Sequence, residues 1–482
     1  MEHFVATIAL IGIVIVVASL LSGVIERVGF PLVGAFLLLG AAVGPYGFGL
    51  TDIRLDSPVL LVLATLGLAL VLFSDAVSVD VRELREQRRL AWVVLGPGTM
   101  LPAILVALAA YWLLDVPPAG AAILGAALAS TDPVLLRSAL RAPELPATAR
   151  VALRIESGMN DVMLLPIVVI GILLLRQDVP VAGRDIGRHL TGLFVLGPAL
   201  GALIGWAGIT MLATVRDRVG VRRDYESLYA LGLGFAAYAA AESVGGSGFL
   251  AAFAAGLAIA ALDVELCDCF LEYGEATAEM LLLLTFVAFG TSLIWSGFSV
   301  AEARTLTFAV IAISVRTLVL FPVLTHVGIR GVDRKLIAVF GPRGLSSLLL
   351  VLLAVFAGID GSERWFTITC LVVLLSLVVH GAAIGIYLRR GPRAGQRTLP
   401  VQVVDPADAS APKEPERINI AQVQDLQGRG EQVVFVDSRA PRSYNSDDRQ
   451  ITGSARVPPD DPARTAAQLR LSQHATLVVY CA

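Results

Sequence analysis

Two short polar clusters interrupt long apolar runs in this chain. The first is Thr131-Asp132-Pro133, inside AALASTDPVLL; the second is Glu156, Ser157, Asn160 and Asp161, inside ALRIESGMNDVMLLP. An ionised side chain at a bilayer centre costs about 2.5–3.5 kcal/mol on insertion scales, so such residues face a water-filled cavity or a partner and mark an ion or proton path. The residue types suit that role. Carboxylate, hydroxyl and carbonyl oxygens are the ligands of hard cations. A carboxylate whose proton affinity is set by burial and nearby charge can trade a proton for such a cation.

The elements that must position these groups are membrane helices. Of the 482 residues, 56% are hydrophobic and 16% charged, and the mean hydropathy is +0.76; soluble domains carry about 25% charged residues. A crossing needs about 20 apolar residues. The runs then read as about thirteen spans, at 4–25, 31–50, 58–78, 90–114, 119–141, 152–176, 189–214, 226–243, 246–262, 275–297, 302–327, 333–357 and 364–389. The first run lacks a basic start and a cleavage site and reads as a true span rather than a leader. On a helix Ser157, Asn160 and Asp161 stand at i, i+3 and i+4 and share a face. Both aspartates are expected at breaks in the helical path. Pro133 breaks span five, and Gly341-Pro342-Arg343-Gly344 breaks span twelve, placing the basic Arg343 in the core. Gly/Pro-interrupted segments in two halves of a chain point to a transporter's site.

Arginine-rich stretches follow spans three, five, seven, eleven and thirteen, which sets those ends in the cytoplasm. The N-terminus is then outside and the C-terminal tail inside. A net charge of −3 gives no basic field for nucleic acid. The four cysteines form no paired framework. Residues 391–417 read as a Pro- and Ala-rich linker. Beyond it, QVVFVDSR and ATLVVYCA read as short parallel strands of a small α/β unit, with a helix-like stretch at 421–428. Three polar features have two readings each. Glu242 with the glycines at 245–248 either lines a vestibule or makes a turn. His380 either bonds a neighbour or senses pH. Asp75 either attracts cations or ends a helix in water.

The Thr131-Asp132-Pro133 and Glu156-Ser157…Asn160-Asp161 pairing resembles the monovalent cation:proton antiporters, in their asparagine–aspartate, NhaP-type branch. GLALVLFSDAVSVDVRELRE, AYAAAESVGGSGFLAAFAAGL, GPRGLSSLLL and VVLLSLVVHGAA are similar to further stretches of that family, in order, over residues 4–390. The resemblance implies an all-α polytopic membrane fold of about thirteen helices with inverted repeats and two broken, crossing helices. It implies a homodimer in the bacterial inner membrane, no cofactor, and exchange of sodium (or potassium or lithium) for protons in sodium and pH homeostasis. It makes Asp161 the central carboxylate, with Asp132, Thr131 and Ser157 as its neighbours around sodium. Asn160 stands where the electrogenic branch has a second aspartate, which implies electroneutral one-for-one exchange. Glu156 is the expected partner of Arg316, in AISVRTLVL.

The tail, 418–482, resembles a rhodanese-like domain, with Cys481 where that family has its nucleophile. One residue follows Cys481, whereas an anion-cradling loop needs several backbone N–H groups. Gln450 also replaces a usual histidine. The expectation is a transporter rather than an enzyme, with a membrane-tethered sulfurtransferase or sulfur sensor as the alternative.

Overall fold

A computed structural model of the chain describes residues 32–51, 53–79, 81–142, 145–176, 190–219, 223–262, 268–390, 433–439, 450–457 and 475–480, with isolated positions elsewhere. The expected first span, the linker at 391–417, most of 421–428 and Cys481 lie outside the described residues.

The membrane part is helical. Seven helical stretches are long and apolar enough to cross a bilayer among the described residues, or eight if the pair Met280–Thr291 and Leu293–Val300, bent by 50°, is one crossing. The thirteen expected spans are not all counted among the described residues, which leave out the first of them. Part of the reason is that several of the expected spans are built from short apolar helices, Leu32–Val43, Gly248–Ala261 and Leu345–Phe356, which fall below the length of a full crossing. Proline sets many of the starts. Pro58, Pro97, Pro118 and Pro133 each open a helix, where the missing N–H would be unpaired anyway and φ is already helical. Pro102, Pro166 and Pro322 lie inside helices, as membrane helices tolerate.

Two expected spans are broken in mid-course. The fifth is a half-helix α1, Pro118–Ala129, three residues of extended or irregular chain, and a second half-helix α2, Pro133–Arg141. Asp132 is extended (φ −83°, ψ 117°), as a residue before proline is obliged to be. The twelfth is α3, Gly331–Val339, then the Gly341–Gly344 break, then α4, Leu345–Phe356. The break expected at Asp161 does not occur. The helix α5, Ala147–Leu175, runs without interruption through Glu156, Ser157, Gly158, Asn160 and Asp161. Its buried face continues past the cluster through Leu164, Leu165 and Val168, so packing holds the helix where polarity and glycine suggested a rupture.

Glu242, in the last turn of the helix Arg223–Ser243, braces the turn that follows it. Its Oε1 accepts the Gly248 N–H at 2.9 Å, Gly245 sits at φ +75°, and the Ser247 hydroxyl caps the helix Gly248–Ala261.

A second compact unit lies within Gly395–Ala482. It holds three parallel strands in the order β2-β1-β3: β1 Val433–Asp437, β2 Ala455–Arg456 and β3 Thr476–Tyr480. The two strands expected from the sequence are β1 and β3. At the end of β1 the buried Asp437 carboxylate accepts from Arg439 Nε (3.0 Å) and Nη2 (2.7 Å) and from the Tyr480 hydroxyl (3.1 Å). The Arg439 guanidinium and the Tyr480 hydroxyl hold that carboxyl down at about 2.

Candidate ion-exchange site

Breaking two helices inside a membrane creates four helix ends, each with unpaired backbone groups and a partial charge. Here three buried ionisable side chains meet all four. Asp132 serves both N-terminal ends. Its Oδ1 accepts from Val134 N (2.7 Å) and Leu135 N (3.3 Å) at the start of α2. Its Oδ2 accepts from Leu345 N (2.6 Å) at the start of α4. The backbone closes the crossing, since Asp132 N donates to the Pro342 carbonyl at 2.9 Å. Gly344 is required by this approach, because a Cβ there would run into the Asp132 carboxylate.

The two C-terminal ends each receive a guanidinium. Arg343 Nη1 donates to the carbonyls of Ala129 (2.7 Å) and Ser130 (3.0 Å) at the end of α1. Arg316 Nη1 donates to Ala338 O at 2.9 Å, at the end of α3. Positive charge is favourable at those ends. A Cβ on Gly341 would meet the Arg316 guanidinium. Arg316 also holds Glu156 through two parallel bonds, Nε to Oε1 at 2.6 Å and Nη2 to Oε2 at 2.5 Å. Both side chains are about 2–3% exposed, so the charges of Glu156 and Arg316 cancel in place.

Asp161 is different. It is buried, and its hydrogen-bond partners among the described residues are hydroxyls: Ser130, from the α1–α2 break, and Ser346, from the first turn of α4. Next to it, Asn160 Nδ2 donates to Thr131 Oγ1 at 2.7 Å, and Asn160 Oδ1 is buried with no partner among the described residues. Ser157, one turn earlier on α5, is buried, and among the described residues it reaches the Arg154 carbonyl at 3.5 Å. The structure thus brings Asp161, Asn160 and Thr131 together at the crossing and sets Ser157 a turn away. Asp132 is at the crossing too, with both oxygens turned to helix ends.

The sequence reading passed over Ser130 and Ser346. The available signal was their position, one beside Thr131-Asp132-Pro133 and the other two residues after Gly344. His380 Nδ1 lies 3.0 Å from the Ser376 hydroxyl, which itself accepts the Arg343 N–H at 2.7 Å; the neighbour-bonding reading of His380 is the one the geometry matches. Asp75 lines a cavity beside α2 and α5.

Apolar crossing helices, two of them broken where buried charges meet, define a multi-pass membrane protein of the broken-helix class. More particularly, the chain belongs to the sodium/hydrogen exchanger transmembrane family, whose pattern matches residues 13–390. The K(+)/H(+) antiporter NhaP of Alkalimonas amylolytica is 24% identical over 390 residues, covering 80% of this chain and 66% of that protein. The K(+)/H(+) antiporter NhaP2 of Shewanella baltica strain OS223 is 27% identical over 373 residues, covering 76% and 64%. The chain thus spans slightly under two thirds of the length of these curated relatives. The structure of the sodium proton antiporter MjNhaP1 from Methanocaldococcus jannaschii at pH 8 superposes with a TM-score of 0.63 at 20% identity, over 81% of this chain and 99% of that one. The fold is therefore shared.

Proposed function

We propose that this protein is a secondary antiporter that exchanges a monovalent cation for a proton, and that Asp161 carries either one in turn. The observation that supports this most directly is the contrast among the three buried acids. Glu156 is neutralised by Arg316, and Asp132 is spread over two helix ends. Among the described residues, Asp161 has hydroxyl hydrogen-bond partners alone. A buried carboxylate without a counter-charge is costly to keep ionised. Binding a proton or a cation removes that cost, and either can be released when the site faces water.

The surrounding groups fit both states. A hydroxyl has one donor and two acceptor lone pairs. Ser130 and Ser346 can donate to an empty carboxylate and turn lone pairs to a cation when one enters. Thr131 and Ser157 offer further oxygens nearby, and Asn160 ties α5 to the α1–α2 break. The names of the sequence relatives specify potassium and that of the structural neighbour sodium, so both ions, and lithium, are candidates. The arginine-rich loops favour a cytoplasmic C-terminus in a bacterial inner membrane, and the family likeness favours a homodimer. The tail is read as a separate cytoplasmic unit after a linker at 391–417.

The test is cation-driven proton movement in liposomes holding the purified protein and a pH-sensitive dye. Sodium, potassium and lithium are compared in turn. Dequenching with at least one of them is expected, and an absence of response to all three, from correctly folded protein, would overturn the proposal.

A further inference from the structure

The unbroken helix α5 contains two glycines, Gly158 and Gly171, in opposite surroundings. Gly171 is packed: a Cβ there would stand 2.7 Å from Ile123 Cγ1 and 3.1 Å from the Ala119 carbonyl, both on α1. Close approach of two helices accounts for that glycine. Gly158 is bare. Beyond its own helix backbone, a Cβ there would meet nothing within 4 Å among the described residues. Its backbone is ordinary α-helix, with no positive φ. A glycine in a helix interior costs about 0.5–1 kcal/mol relative to alanine. Neither backbone conformation nor packing calls for it at 158.

What Gly158 borders is space. A cavity of ≈ 220 Å³ is lined by Gly158 together with Ser157, Pro133, Val134, Ser74 and Ser78, among others. Ser78 is exposed and Ser157 is buried. The cavity therefore runs from the surface inward to α5 and to the start of α2. Gly158 and Asp161 stand at i and i+3 on α5, as neighbours on the helix surface, about 4.5 Å apart along the axis. The inner end of the cavity is thus one helical turn from Asp161, and at Gly158 its wall is backbone alone.

We infer that Gly158 sets the bore of the cation path to Asp161: the missing side chain leaves room for a monovalent cation to arrive with part of its water shell. This rests on the exchange function proposed above. A water takes about 30 Å³ in the liquid, so the cavity has room for several. A side chain at 158 would project into that room, and its effect grows with its size. Narrowing the path slows arrival and departure alike. It lowers the rate of exchange and leaves the equilibrium affinity of the Asp161 site as it is.

The experiment compares wild type, G158A, G158L and G232L in the whole protein. Gly232, in the helix Arg223–Ser243, is the control: a Cβ there also meets nothing within 4 Å among the described residues, and Gly232 does not line this cavity. Initial exchange rates are measured in liposomes at saturating sodium and at saturating potassium. Cation affinity is read separately in detergent, at alkaline pH, as the sodium or potassium concentration giving half of the cation-dependent rise in melting temperature. G158L should lose about ten-fold or more in rate with both cations, equivalent to an added barrier of about 1.4 kcal/mol. G158A should lose less and melt at or above wild type, since alanine removes the helix cost of glycine. G232L should exchange as wild type, and the affinity midpoint should be the same in all four. Should G158L fail to fold, G158M, unbranched and a good helix former, takes its place. A wild-type rate in the folded large variant would overturn the inference. So would G158A as slow as G158L, which would make flexibility rather than space the role of the glycine, or a shifted affinity midpoint, which would place the effect in the binding site. Each of these leaves the exchange function standing. A wild-type protein that moves no protons in response to cations would overturn both, and that control tells the two failures apart.

Discussion

The Asp132 carboxylate accepts the backbone N–H of Leu345 at 2.6 Å across a sequence separation of 213 residues, while its other oxygen caps the half-helix that begins at Pro133. One side chain therefore compensates two helix N-termini and fastens two broken helices at their crossing. An N-cap is worth about 1 kcal/mol, and hydrogen bonds to a buried charge about 1.5–3 kcal/mol each.

The first prediction separates the two aspartates. Asp132→Asn puts an amide where two oxygens are needed, and its N–H₂ faces an N–H. The expected result is a marked loss of thermal stability in detergent. Asp161→Asn keeps the shape of a side chain whose partners are hydroxyls, so stability should hold within about 1 kcal/mol, in the range of ordinary tolerated changes. Exchange by Asp161→Asn should be abolished. A melting temperature that falls equally in both variants would contradict the assignment.

The second prediction concerns the Glu156–Arg316 pair. Removing one partner of a buried ion pair leaves an uncompensated charge and costs about 3–5 kcal/mol. Glu156→Ala strands Arg316, although its bond to Ala338 O remains. Thermal unfolding should show a large drop for Glu156→Ala. Glu156→Gln combined with Arg316→Gln should recover part of it, since neither charge is then left alone. A double variant no more stable than the single one argues against the pair as an isolated neutral unit.

Much of this arrangement was legible in the sequence. Polar clusters in apolar runs marked residues that meet at the crossing, and Pro133 and Gly341–Gly344 marked the two breaks, because backbone rules act on near neighbours. What stayed hidden depends on which distant segments meet. Asp132 reads as an ion ligand from the sequence, and its bond to Leu345, which joins two helix ends, shows only in the fold. Ser346 reads as an ordinary polar residue until α4 lies against Asp161. Polarity at Ser157–Asp161 suggested a break, yet the helix persists because both its flanks are packed. Apolar content marks membrane residence, but half-helices and a 50° bend partition the apolar runs differently from their hydropathy.

The third prediction concerns the tail and its pH dependence. Arg439 and Tyr480 hold the Asp437 carboxyl at about 2 in the folded unit, below its usual 3.8. The folded value is depressed, so its contribution to stability is fully present above about pH 4 and is lost as the pH falls through about 2. A shift of this size corresponds to about 2 kcal/mol. In the whole protein, Asp437→Asn should therefore speed hydrogen exchange in peptides covering β1 and β3 at neutral pH. The difference from wild type should close on approach to pH 2. A gap that persists unchanged at low pH would mean that Asp437 acts by shape rather than charge.

The fourth prediction concerns the electrical character of transport. Only a group that can take and release a proton at the crossing contributes to the count. Asn160 is an amide and carries no exchangeable charge, and its Nδ2 is committed to Thr131. Glu156 is held by two guanidinium bonds. Each oxygen of Asp132 accepts a backbone N–H at 2.7 Å or less, so its carboxylate is engaged in joining the two helix ends. On the proposed mechanism Asp161 is then the single carrier. If it holds one monovalent cation on one half of the cycle and one proton on the other, no net charge crosses. Moving one net charge is worth about 2.3 kcal/mol per 100 mV, so an electrogenic cycle would respond strongly to voltage. Exchange in proteoliposomes should reach the same end point, at the same rate, whether or not an imposed diffusion potential is present. For a sodium gradient this potential can be set with potassium and valinomycin. An end point that moves with the potential would show a second carrier, and Asp132 would be the first residue to test by asking whether Asp132→Asn, in whatever fraction folds, removes the voltage dependence.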